Sequence, residues 1–438
     1  MISLLRKITP KPIIQLYHLI LSKLAVLLYA NPSKKMIVVG ITGTNGKSST
    51  VQLTSQLLTL LGDKVGYTTT AGFWIDGEKI ENKLKMTMPG RFLLQSLMSK
   101  MVRKKCRVAI IETTSQGTVQ FRHLGINYDT VVFTNLTPEH IESHGGFENY
   151  KKAKGELFRH LTKRRKKKID SEIILKTSIV NFDDEHSEYF NSFKADRKFG
   201  FGWSGEASDY KIVARKSILD FDGLQVSING VQMKIPFLAD FEQKNTLAAI
   251  SIAYSLGYSL SRIASVVSDL KPIPGRFERI KKGQPFEVIV DYAYEPFAIE
   301  ALLNAVDQLK PARIIGIHGS AGGGRDVSRR EKIGRLAAKR EEIVIVTNED
   351  PYDEDPRKII EAVADGAKAE GKIDGKDLFL IDDRSDAINF AINGAKAGDV
   401  VLITGKGNEH GIAVANRKQI PWNDTEAAQS ALVRLGYV

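Results

Sequence analysis

A glycine-rich segment with a lysine and several hydroxyl side chains occupies residues 42–49 (T-G-T-N-G-K-S-S), directly after the apolar run 36–41. In such a loop, backbone N–H groups surround phosphate oxygens, and the N-terminus of the following helix adds positive potential. Lys47 can neutralise phosphate charge, and the hydroxyl of Ser48 can reach Mg²⁺. The spacing is a variant of the general phosphate-loop motif, because Ile41 stands where its first glycine falls. The segment predicts a nucleotide site formed by Gly43, Thr44, Asn45, Gly46, Lys47, Ser48 and Ser49.

Polar residues also follow later apolar runs, at the points where predicted strands end. Two such runs in the first half of the chain are 107–113 and 130–135. Those in the second half are 286–292, 313–319, 342–348, 378–382 and 399–405. Ligands of parallel sheets bind at the carboxyl ends of the strands. Four polar clusters are therefore expected to face ligands: Asp291, residues 322–326, Glu349-Asp350 and residues 406–409.

Helical stretches alternate with these strands, which predicts an α/β fold. One helix should run from the glycine loop to about Leu61, and another should cover residues 244–258. Residues 205–235 differ, because short alternating segments with turn signals indicate hairpins. The breaker-rich segment 271–275 indicates a domain boundary. We predict three parts: an N-terminal amphipathic helical segment (1–34), a central P-loop ATPase domain with a parallel sheet (35–271) and a C-terminal Rossmann-like α/β domain (272–438).

Composition limits the class of protein further. The 438 residues are 42% hydrophobic and 26% charged, as in an ordinary globular protein of two or three domains. A single cysteine, Cys106, excludes a disulfide framework and a cysteine-based zinc site. The net charge of +12 suits anionic partners, and much of the excess lies in residues 163–168, which we interpret as a solvated loop or helix end. No base-reading motif accompanies this charge, so we predict no nucleic-acid partner.

The N-terminal residues 13–30 form an apolar run that follows basic residues, as in a signal peptide. Polar side chains recur through it at helical spacing: Lys11, Gln15, His18 and Ser22, with Lys23 beside them. This narrow polar stripe argues against a spanning helix or an export signal and indicates an amphipathic helix. Two environments stay open for the helix, a membrane surface or the next domain. We expect a cytoplasmic monomer, with peripheral membrane contact through residues 13–30 as one alternative.

Several motifs, in order along the chain, resemble those of the Mur ligase family, which also includes folylpolyglutamate synthase. The T-G-T-N-G-K-S loop is the first of them. Residues 112–117 (E-T-T-S-Q-G) resemble the family's E-x-S-S-H-G stretch, and residues 133–140 (F-T-N-L-T-P-E-H) resemble its F-T-N-L-x-x-D-H. Residues 150–154 (Y-K-K-A-K) match its Y-x-x-A-K. Further matches are Asn245, Pro274-Gly275-Arg276 and Asp291-Tyr292-Ala293, so that the resemblance covers roughly residues 36–438.

The resemblance implies an ATP-dependent ligase that joins an amino acid to a peptidoglycan precursor. A carboxylate is a poor electrophile, so transfer of the ATP γ-phosphate activates it as an acyl-phosphate, and cations must screen the approaching anions. The implied catalytic residues are Lys47, Glu112, His140 and Lys154. By the same resemblance, Ser48 holds the nucleotide-bound Mg²⁺, while Glu112 and His140 hold a second metal ion. Lys154 is implied to be carbamylated, and Asn245, Arg276 and Asp291 to contact ATP.

The C-terminal motifs resemble the branch of the family that adds the third amino acid. Residues 324–326 (G-R-D) resemble its G-D-R-D loop, whose arginine grips the incoming carboxylate. Residues 405–409 (G-K-G-N-E) resemble its G-K-G-H-E, whose last acid binds the far end of the amino acid. Residues 347–352 (T-N-E-D-P-Y) stand where that branch has T-x-D-N-P-R. The implied substrate contacts are Thr114, Ser115, Arg325, Glu349, Asp350, Tyr352, Gly405 and Glu409.

Departures from that branch bear on the substrates. Tyr352 replaces the arginine of diaminopimelate-specific enzymes, and acidic residues near it (Glu349, Asp350, Asp353 and Glu409) favour a terminal amine such as that of lysine or ornithine. Alternatively, these acids pair within the domain with Arg325, Arg357 or Lys406. Gln116 and Tyr294 each replace a histidine of the family. Only about 35 residues precede the P-loop strand, so we expect UDP recognition to be weak or rebuilt, or the acceptor to be presented differently, for example on a lipid.

The sequence leaves two competing functions open. One is another Mur-family ligase that acts on a different glutamate-containing acceptor, of the folylpolyglutamate-synthase or peptidoglycan-modifying type. The other is a P-loop ATPase or scaffold that does not ligate. Glu112, His140 and Lys154 together argue against the second, because simple ATP hydrolysis does not require all three.

Overall fold

A computed structural model of the chain describes residues 10–82, 86–138, 144–203, 211–220 and 223–438. The chain divides into two compact units, Met1–Lys271 and Pro272–Val438. The division lies inside the breaker-rich segment 271–275. His140 lies outside the described residues.

The first unit is built on a sheet of eleven strands within the described part of the chain. Its strands, with the separate hairpin β7–β8, are β1 Ile37–Thr42, β2 Val65–Thr68, β3 Phe73–Ile75, β4 Glu78–Ile80, β5 Val108–Glu112, β6 Thr130–Phe133, β7 Lys167–Ile169, β8 Glu172–Ile174, β9 Thr177–Asn181, β10 Arg197–Gly202, β11 Lys211–Asp220, β12 Gly223–Ile228 and β13 Val231–Ile235. The order in the sheet is β13-β12-β11-β10-β9-β6-β1-β5-β2-β3-β4. Neighbours from β11 to β2 are parallel, and antiparallel hairpins extend both edges. The predicted parallel sheet and the hairpins after it are confirmed for the described residues.

Helices complete the first unit: α1 Lys11–Leu28, α2 Lys47–Leu60, α3 Arg91–Arg103, α4 Ser115–Val119, α5 Phe147–Leu161, α6 Ser187–Asn191, α7 Asp240–Ser255 and α8 Leu260–Val267. All six residues of β1 are buried, as expected for a strand covered on both faces. Alternate residues point to opposite faces. Val38 joins a core cluster with Leu94 of α3 and Leu157 of α5, while the other face of β1 carries the equally buried Val39. This core fixes the carboxyl end of β1, from which the glycine-rich loop runs into α2.

The buried Asp129, just before β6, ties the start of β1 to two lysines. Its Oδ2 accepts a hydrogen bond from the backbone N–H of Val38 at 2.9 Å and a further bond from Lys167 Nζ. Lys176 Nζ lies 3.2 Å from Oδ1. Burial lowers the pKa of Lys167 to about 8, although the Asp129 carboxylate opposes that shift. The carboxylate therefore compensates two desolvated cations beneath the strand that carries the loop.

Asp129→Asn is expected to destabilise the first unit by about 3–5 kcal/mol, because it leaves two buried ammonium groups without their counter-ion. The measurement is the free energy of unfolding from denaturant titration. Glu148→Gln is the matched control, since the Glu148 carboxylate that pairs with Lys151 is solvent-exposed and its loss should leave the free energy of unfolding nearly unchanged. Equal effects of the two substitutions would contradict the role given to Asp129.

The second unit is a doubly wound α/β unit. Its strands are β14 Glu278–Ile280, β15 Glu287–Val290, β16 Ile314–His318, β17 Ile343–Val346, β18 Leu378–Leu380, β19 Val400–Ile403, β20 Gly411–Val414 and β21 Lys418–Pro421. Its helices are α9 Pro296–Asp307, α10 Ser328–Arg340, α11 Pro356–Ala369, α12 Arg384–Gly394 and α13 Asp424–Arg434. Six strands form a sheet in the order β14-β15-β19-β16-β17-β18, parallel except for β14. The five strands predicted here are confirmed, and their carboxyl ends carry the polar clusters.

Helix α1 packs on the first unit with its small and polar side. Ser22 and Ala25 are buried, and His18 is nearly so. The predicted polar stripe thus faces partly inward at His18 and Ser22, whereas Gln15 and Lys23 are exposed. Among the described residues, no helix combines the length and apolar character needed to cross a membrane.

Candidate active site

The loop between β1 and α2 needs glycine at two positions. Gly46 precedes α2 with φ 77°, a left-handed conformation that side chains rarely adopt. A Cβ atom there would also overlap the side-chain amide of Asn245 in α7. A Cβ atom on Gly43 would overlap the hydroxyl of Thr134 at the end of β6. The loop is therefore held close to two neighbouring elements, and its shape depends on both glycines.

Residues after β6 hold the loop from the other side. The backbone N–H groups of Thr44 and Asn45 donate to Asn135, one to its carbonyl and one to its Oδ1, both at 2.8 Å. The Thr134 hydroxyl donates to the Asn45 carbonyl at 2.8 Å. Thr137 N–H donates to the Thr44 hydroxyl at 3.0 Å. These positioning contacts were not assigned from the sequence, although the polar F-T-N-L-T segment at a strand end was the signal for them.

Lys47 and Ser48 begin helix α2. Lys47 Nζ donates to the Thr44 carbonyl at 2.7 Å, so its ammonium group curls back over the loop. The Ser48 hydroxyl donates to Glu112 Oε2 at 2.7 Å, and Glu112, at the end of β5, is only 2% exposed. The Thr70 N–H also donates to this carboxylate, at 3.2 Å. A hydroxyl and a carboxylate oxygen side by side, next to a phosphate-sized loop, suit Mg²⁺, which prefers oxygen ligands.

Lys154, on α5, also contacts the glycine-rich loop. Its side chain is buried, and its Nζ donates to the Gly43 carbonyl at 2.6 Å. The ammonium group lies 4.3 Å from the ring centre of Tyr150. The Tyr150 hydroxyl in turn lies 3.2 Å from the hydroxyl of Thr44. The structure therefore brings Lys154 together with the loop residues that the sequence singled out.

The remaining residues predicted in the first unit have the following contacts. Thr114 accepts a hydrogen bond from the Gly117 N–H at 3.0 Å and so caps α4. The Ser115 hydroxyl lies 3.1 Å from His144 Nε2. Asn245 Oδ1 accepts a hydrogen bond from the Thr50 hydroxyl at 3.2 Å, beside Gly46. Thr114 thus has a structural role of its own, while Asn245 adjoins the loop.

In the second unit, Asp291 ends β15 and organises the turn after it. Its two carboxylate oxygens accept the N–H groups of Phe277 and Ala293, each at 2.7 Å. Burial raises the pKa of Asp291, and the nearby Arg276 opposes that rise. The Arg276 guanidinium lies 4.2 Å from the ring centre of Tyr292.

The acidic residues near Tyr352 are partly neutralised within the unit. Lys406 Nζ donates to Asp350 Oδ1 at 2.8 Å and to Glu409 Oε2 at 2.6 Å. Of the two alternatives derived from the sequence, internal pairing therefore holds for Asp350 and Glu409. Glu349 differs, because its Oε2 is buried without a hydrogen-bond partner among the described residues. Burial raises the pKa of Glu349, while Arg329 and Lys406 lower it.

Arg325 and Tyr352 lie together. The Arg325 side chain is exposed. Partial desolvation lowers the pKa of Arg325, but the neighbouring Tyr294 and Tyr352 outweigh this effect, so that its pKa is raised. Tyr352 has φ 53°, which is rare for a bulky residue. Its ring occupies the space that a side chain on Gly323 would need. A strained backbone that aims an aromatic ring is typical of a functional site.

Arg384, which the sequence did not single out, holds two of the ligand-facing loops. It is buried, donates to the carbonyls of Asn348 at 3.3 Å and Thr404 at 2.6 Å, and pairs with Asp424 at 2.7 Å. These carbonyls precede Glu349 and Gly405 directly. At Gly405, φ is 102°, and a Cβ atom would crowd the Glu349 carboxylate.

Comparison with known proteins identifies the family. The Mur ligase middle domain matches residues 41–253. The glutamate ligase domain of Mur ligases matches residues 275–407. A UDP-N-acetylmuramyl-tripeptide synthetase of Roseiflexus sp. (strain RS-1) is 34% identical over 429 residues, which are 95% of this chain and 82% of the relative. This chain belongs to the Mur ligase family. The prediction of a Mur-family ligase is thereby confirmed.

Some relatives of the chain carry the name of the amino acid that they add, and others do not. A UDP-N-acetylmuramoyl-L-alanyl-D-glutamate--2,6-diaminopimelate ligase of Geobacillus kaustophilus (strain HTA426) is 33% identical over 417 residues, or 94% of this chain and 82% of the relative. Mur ligases are ATP-dependent and in general require Mg²⁺. The family therefore agrees with a nucleotide site at the glycine loop, whereas the names of these relatives either give 2,6-diaminopimelate or leave the amino acid unnamed.

Solved structures confirm the predicted α/β fold. A 2,6-diaminopimelate ligase structure superposes with a TM-score of 0.60 at 25% identity and covers 92% of this chain and 80% of its own. The folylpolyglutamate synthase of Mycobacterium tuberculosis superposes with a TM-score of 0.70 at 15% identity and covers 95% of each chain. The second likeness concerns the fold alone.

Proposed function

We propose that this Mur ligase adds an amino acid to a muramoyl-dipeptide-type peptidoglycan precursor through an acyl-phosphate, with release of ADP and phosphate. The observation that carries the proposal is the pairing of Ser48 with Glu112 at 2.7 Å, directly beside the glycine loop. The pair supplies oxygens for Mg²⁺ at the nucleotide phosphates, as P-loop enzymes in general require. Membership of the Mur ligase family supports ligation over plain hydrolysis. The identities of the relatives support the precursor, and the motifs of the second unit support an incoming amino acid.

The glycine loop is proposed to bind the phosphates of ATP. Lys47 and the N–H groups in the first turn of α2 would face the anion, since the N–H groups of Thr44 and Asn45 bond Asn135. The Ser48 hydroxyl and Glu112 would supply oxygens for Mg²⁺. The metal, when bound, screens the charge between phosphate and carboxylate. His140 completes the proposed metal set from outside the described residues. Asn245, Arg276 and Asp291 are proposed as further nucleotide contacts.

Lys154 is proposed to act as a carbamate. Its amine lies at the Gly43 carbonyl, and carbamylation leaves one N–H that can keep this hydrogen bond. Reaction of the neutral amine with CO₂ forms the N–C bond and releases one proton. The resulting anion would lie beside the proposed metal region.

The second unit is proposed to bind the incoming amino acid. Arg325 is cationic, exposed and close to Tyr352, so it can grip the α-carboxylate. The incoming amine must be deprotonated before it attacks the acyl carbon. Water must be kept away from the acyl-phosphate, because it would hydrolyse that intermediate. Glu349, Gly405 and Glu409 are proposed to line the side-chain end, and Thr114 and Ser115 to contact the acceptor in the first unit. We propose that the protein acts as a monomer and that its substrates are small molecules.

An assay of phosphate release tests this function against a plain ATPase. We expect release from ATP to depend on both the acceptor and an amino acid, and to fall to background when either is omitted. Phosphate release that does not change on addition of UDP-MurNAc-L-Ala-D-Glu and amino acids would favour the non-ligating alternative. Release that requires a folate or another glutamate-containing acceptor would favour the other Mur-family ligase.

Selectivity for the amino acid gives a further prediction. Tyr352 offers no cation for the second carboxylate of diaminopimelate, and a buried carboxylate without a cationic partner is destabilised by several kcal/mol. We therefore expect kcat/KM for L-lysine or L-ornithine to exceed that for meso-diaminopimelate by about tenfold or more. Because Asp350 and Glu409 share the ammonium group of Lys406, the preference for an amine rests mainly on Glu349. Glu349→Gln should reduce it, and a tenfold preference for diaminopimelate would refute this assignment of the pocket.

A further inference from the structure

Helix α1 carries a continuous apolar face that is turned away from the first unit. Its large apolar side chains that are 49–78% exposed are Ile13, Leu16, Tyr17, Ile20, Leu24, Leu27 and Leu28. They recur at intervals of three and four, so they lie along one side of the helix. No other helix or strand in the described ranges has more than two such side chains. A contiguous exposed patch of this kind marks an interaction site.

The opposite side of α1 packs against the first unit, so that the apolar face points to solvent. Ser22 and Ala25 are buried against the first unit. A Cβ atom on Gly125 would come within 3.0 Å of Val26 and 3.3 Å of the Ser22 hydroxyl, so the helix lies directly on the 3₁₀ turn His123–Gly125. The apolar face is therefore presented by a docked helix rather than by a loose segment.

The charge around α1 has one sign. Residues 1–62 contain no acidic residue. The cations up to residue 35 are Arg6, Lys7, Lys11, Lys23, Lys34 and Lys35. Of these, the side chains of Lys23, Lys34 and Lys35 are described, and all three are exposed. The segment that carries the apolar face thus contributes cations and no acidic side chain, which makes it complementary to a surface that is both apolar and anionic.

The basic run 163–168 adds to this charge. Arg164 donates to the carbonyl of Leu124 at 2.5 Å, in the 3₁₀ turn on which α1 lies. Lys163, Arg164 and Arg165 are exposed. The run that the sequence indicated as a solvated loop or helix end thus borders the docked helix. The prediction was wrong for Lys167, which is buried at the start of β7 and paired with Asp129.

We infer that α1 binds the surface of an anionic lipid bilayer, lying in the plane of the interface with its apolar face among the headgroups and upper acyl chains. Helices with an apolar face bordered by Lys and Arg bind in this way. Tyr17 suits the same depth, since its ring is apolar and its hydroxyl is polar. A second copy of the chain is a poorer occupant, because two cationic surfaces would be brought together.

Flotation of the full-length protein with lipid vesicles tests the inference. The vesicles are phosphatidylcholine alone and phosphatidylcholine mixed with phosphatidylglycerol. We expect binding to the anionic vesicles that weakens by about fivefold for each charge removed in Lys34→Gln/Lys35→Gln. Ile20→Glu/Leu27→Glu should weaken it by about a hundredfold or more, since two apolar side chains no longer enter the bilayer.

The matched control is Ile373→Glu/Val433→Glu, which changes equally exposed apolar side chains in the second unit and should bind like the wild type. Each variant should keep the melting temperature of the wild type and its ligase turnover with water-soluble substrates, so that a loss of vesicle binding does not reflect misfolding. The inference is overturned if the wild type does not float with anionic vesicles, or if Ile20→Glu/Leu27→Glu binds them like the control. It is also overturned if Ile20→Glu/Leu27→Glu instead abolishes a concentration-dependent dimer while the wild type shows no vesicle binding.

Discussion

Lys47→Ala is expected to reduce ligation by at least about a hundredfold. The ammonium group of Lys47 sits at the N-terminus of α2 and is held over the loop by the Thr44 carbonyl, 2.7 Å from its Nζ. A phosphate bound in the loop would take over this group as a charge-assisted contact. Loss of such a contact costs a few kcal/mol, which corresponds to a hundredfold or more in rate. The measurement is kcat/KM for ATP, in the presence of acceptor and amino acid.

Lys64→Ala is the control for this substitution, because Lys64 forms an exposed ion pair with Asp76 and lies outside the loop. It should leave turnover within about twofold of the wild type. Both variants should keep the melting temperature of the wild type. Near-normal turnover of Lys47→Ala would remove the basis for placing the nucleotide at this loop.

Lys154→Ala should also be nearly inactive, with a loss of about a hundredfold or more. The side chain is buried, and its Nζ lies 2.6 Å from the Gly43 carbonyl. If the working group is a carbamate, the variant lacks an anion as well as a hydrogen bond. Acetate or another short carboxylic acid should then restore part of the activity, because it supplies a carboxylate in the vacated space. The measurement is kcat with and without added acid.

Lys152→Ala provides the control on the same helix, since Lys152 is exposed. It should be active and should not respond to acetate. Bicarbonate should raise the activity of wild-type enzyme that has been depleted of CO₂. An active enzyme whose Lys154 is unmodified in an experimental electron-density map, and which gains nothing from bicarbonate, would rule out the carbamate.

The sequence predicted the elements whose signal is local. The strand Ile37–Thr42 and helix Lys47–Leu60 were predicted because a fully apolar run, a glycine loop and a helical stretch follow one another directly. The parallel strands of the second unit were predicted for the same reason. Motif register then placed Glu112 and Lys154 near the loop, although they are distant in the chain.

Contacts that depend on the three-dimensional packing were not predictable in this way. The sequence left open whether Asp350 and Glu409 face a substrate or a neighbouring cation, and only the position of Lys406 Nζ decides in favour of pairing. The hydrogen bond from the Asn45 N–H to Asn135 Oδ1 joins residues 90 apart in sequence. The orientation of α1 was also open, because a helix with a narrow polar stripe can be docked on either side.

The most direct test of the proposed reaction is the mass of its product. The enzyme is incubated with ATP, Mg²⁺, UDP-MurNAc-L-Ala-D-Glu and a panel of amino acids, and the mixture is analysed by mass spectrometry. We predict a product heavier than the acceptor by one amino acid less one water, formed with an equal amount of ADP, and absent with Lys47→Ala. Consumption of ATP with no change in the mass of the acceptor, whatever the amino acid, would contradict the proposal.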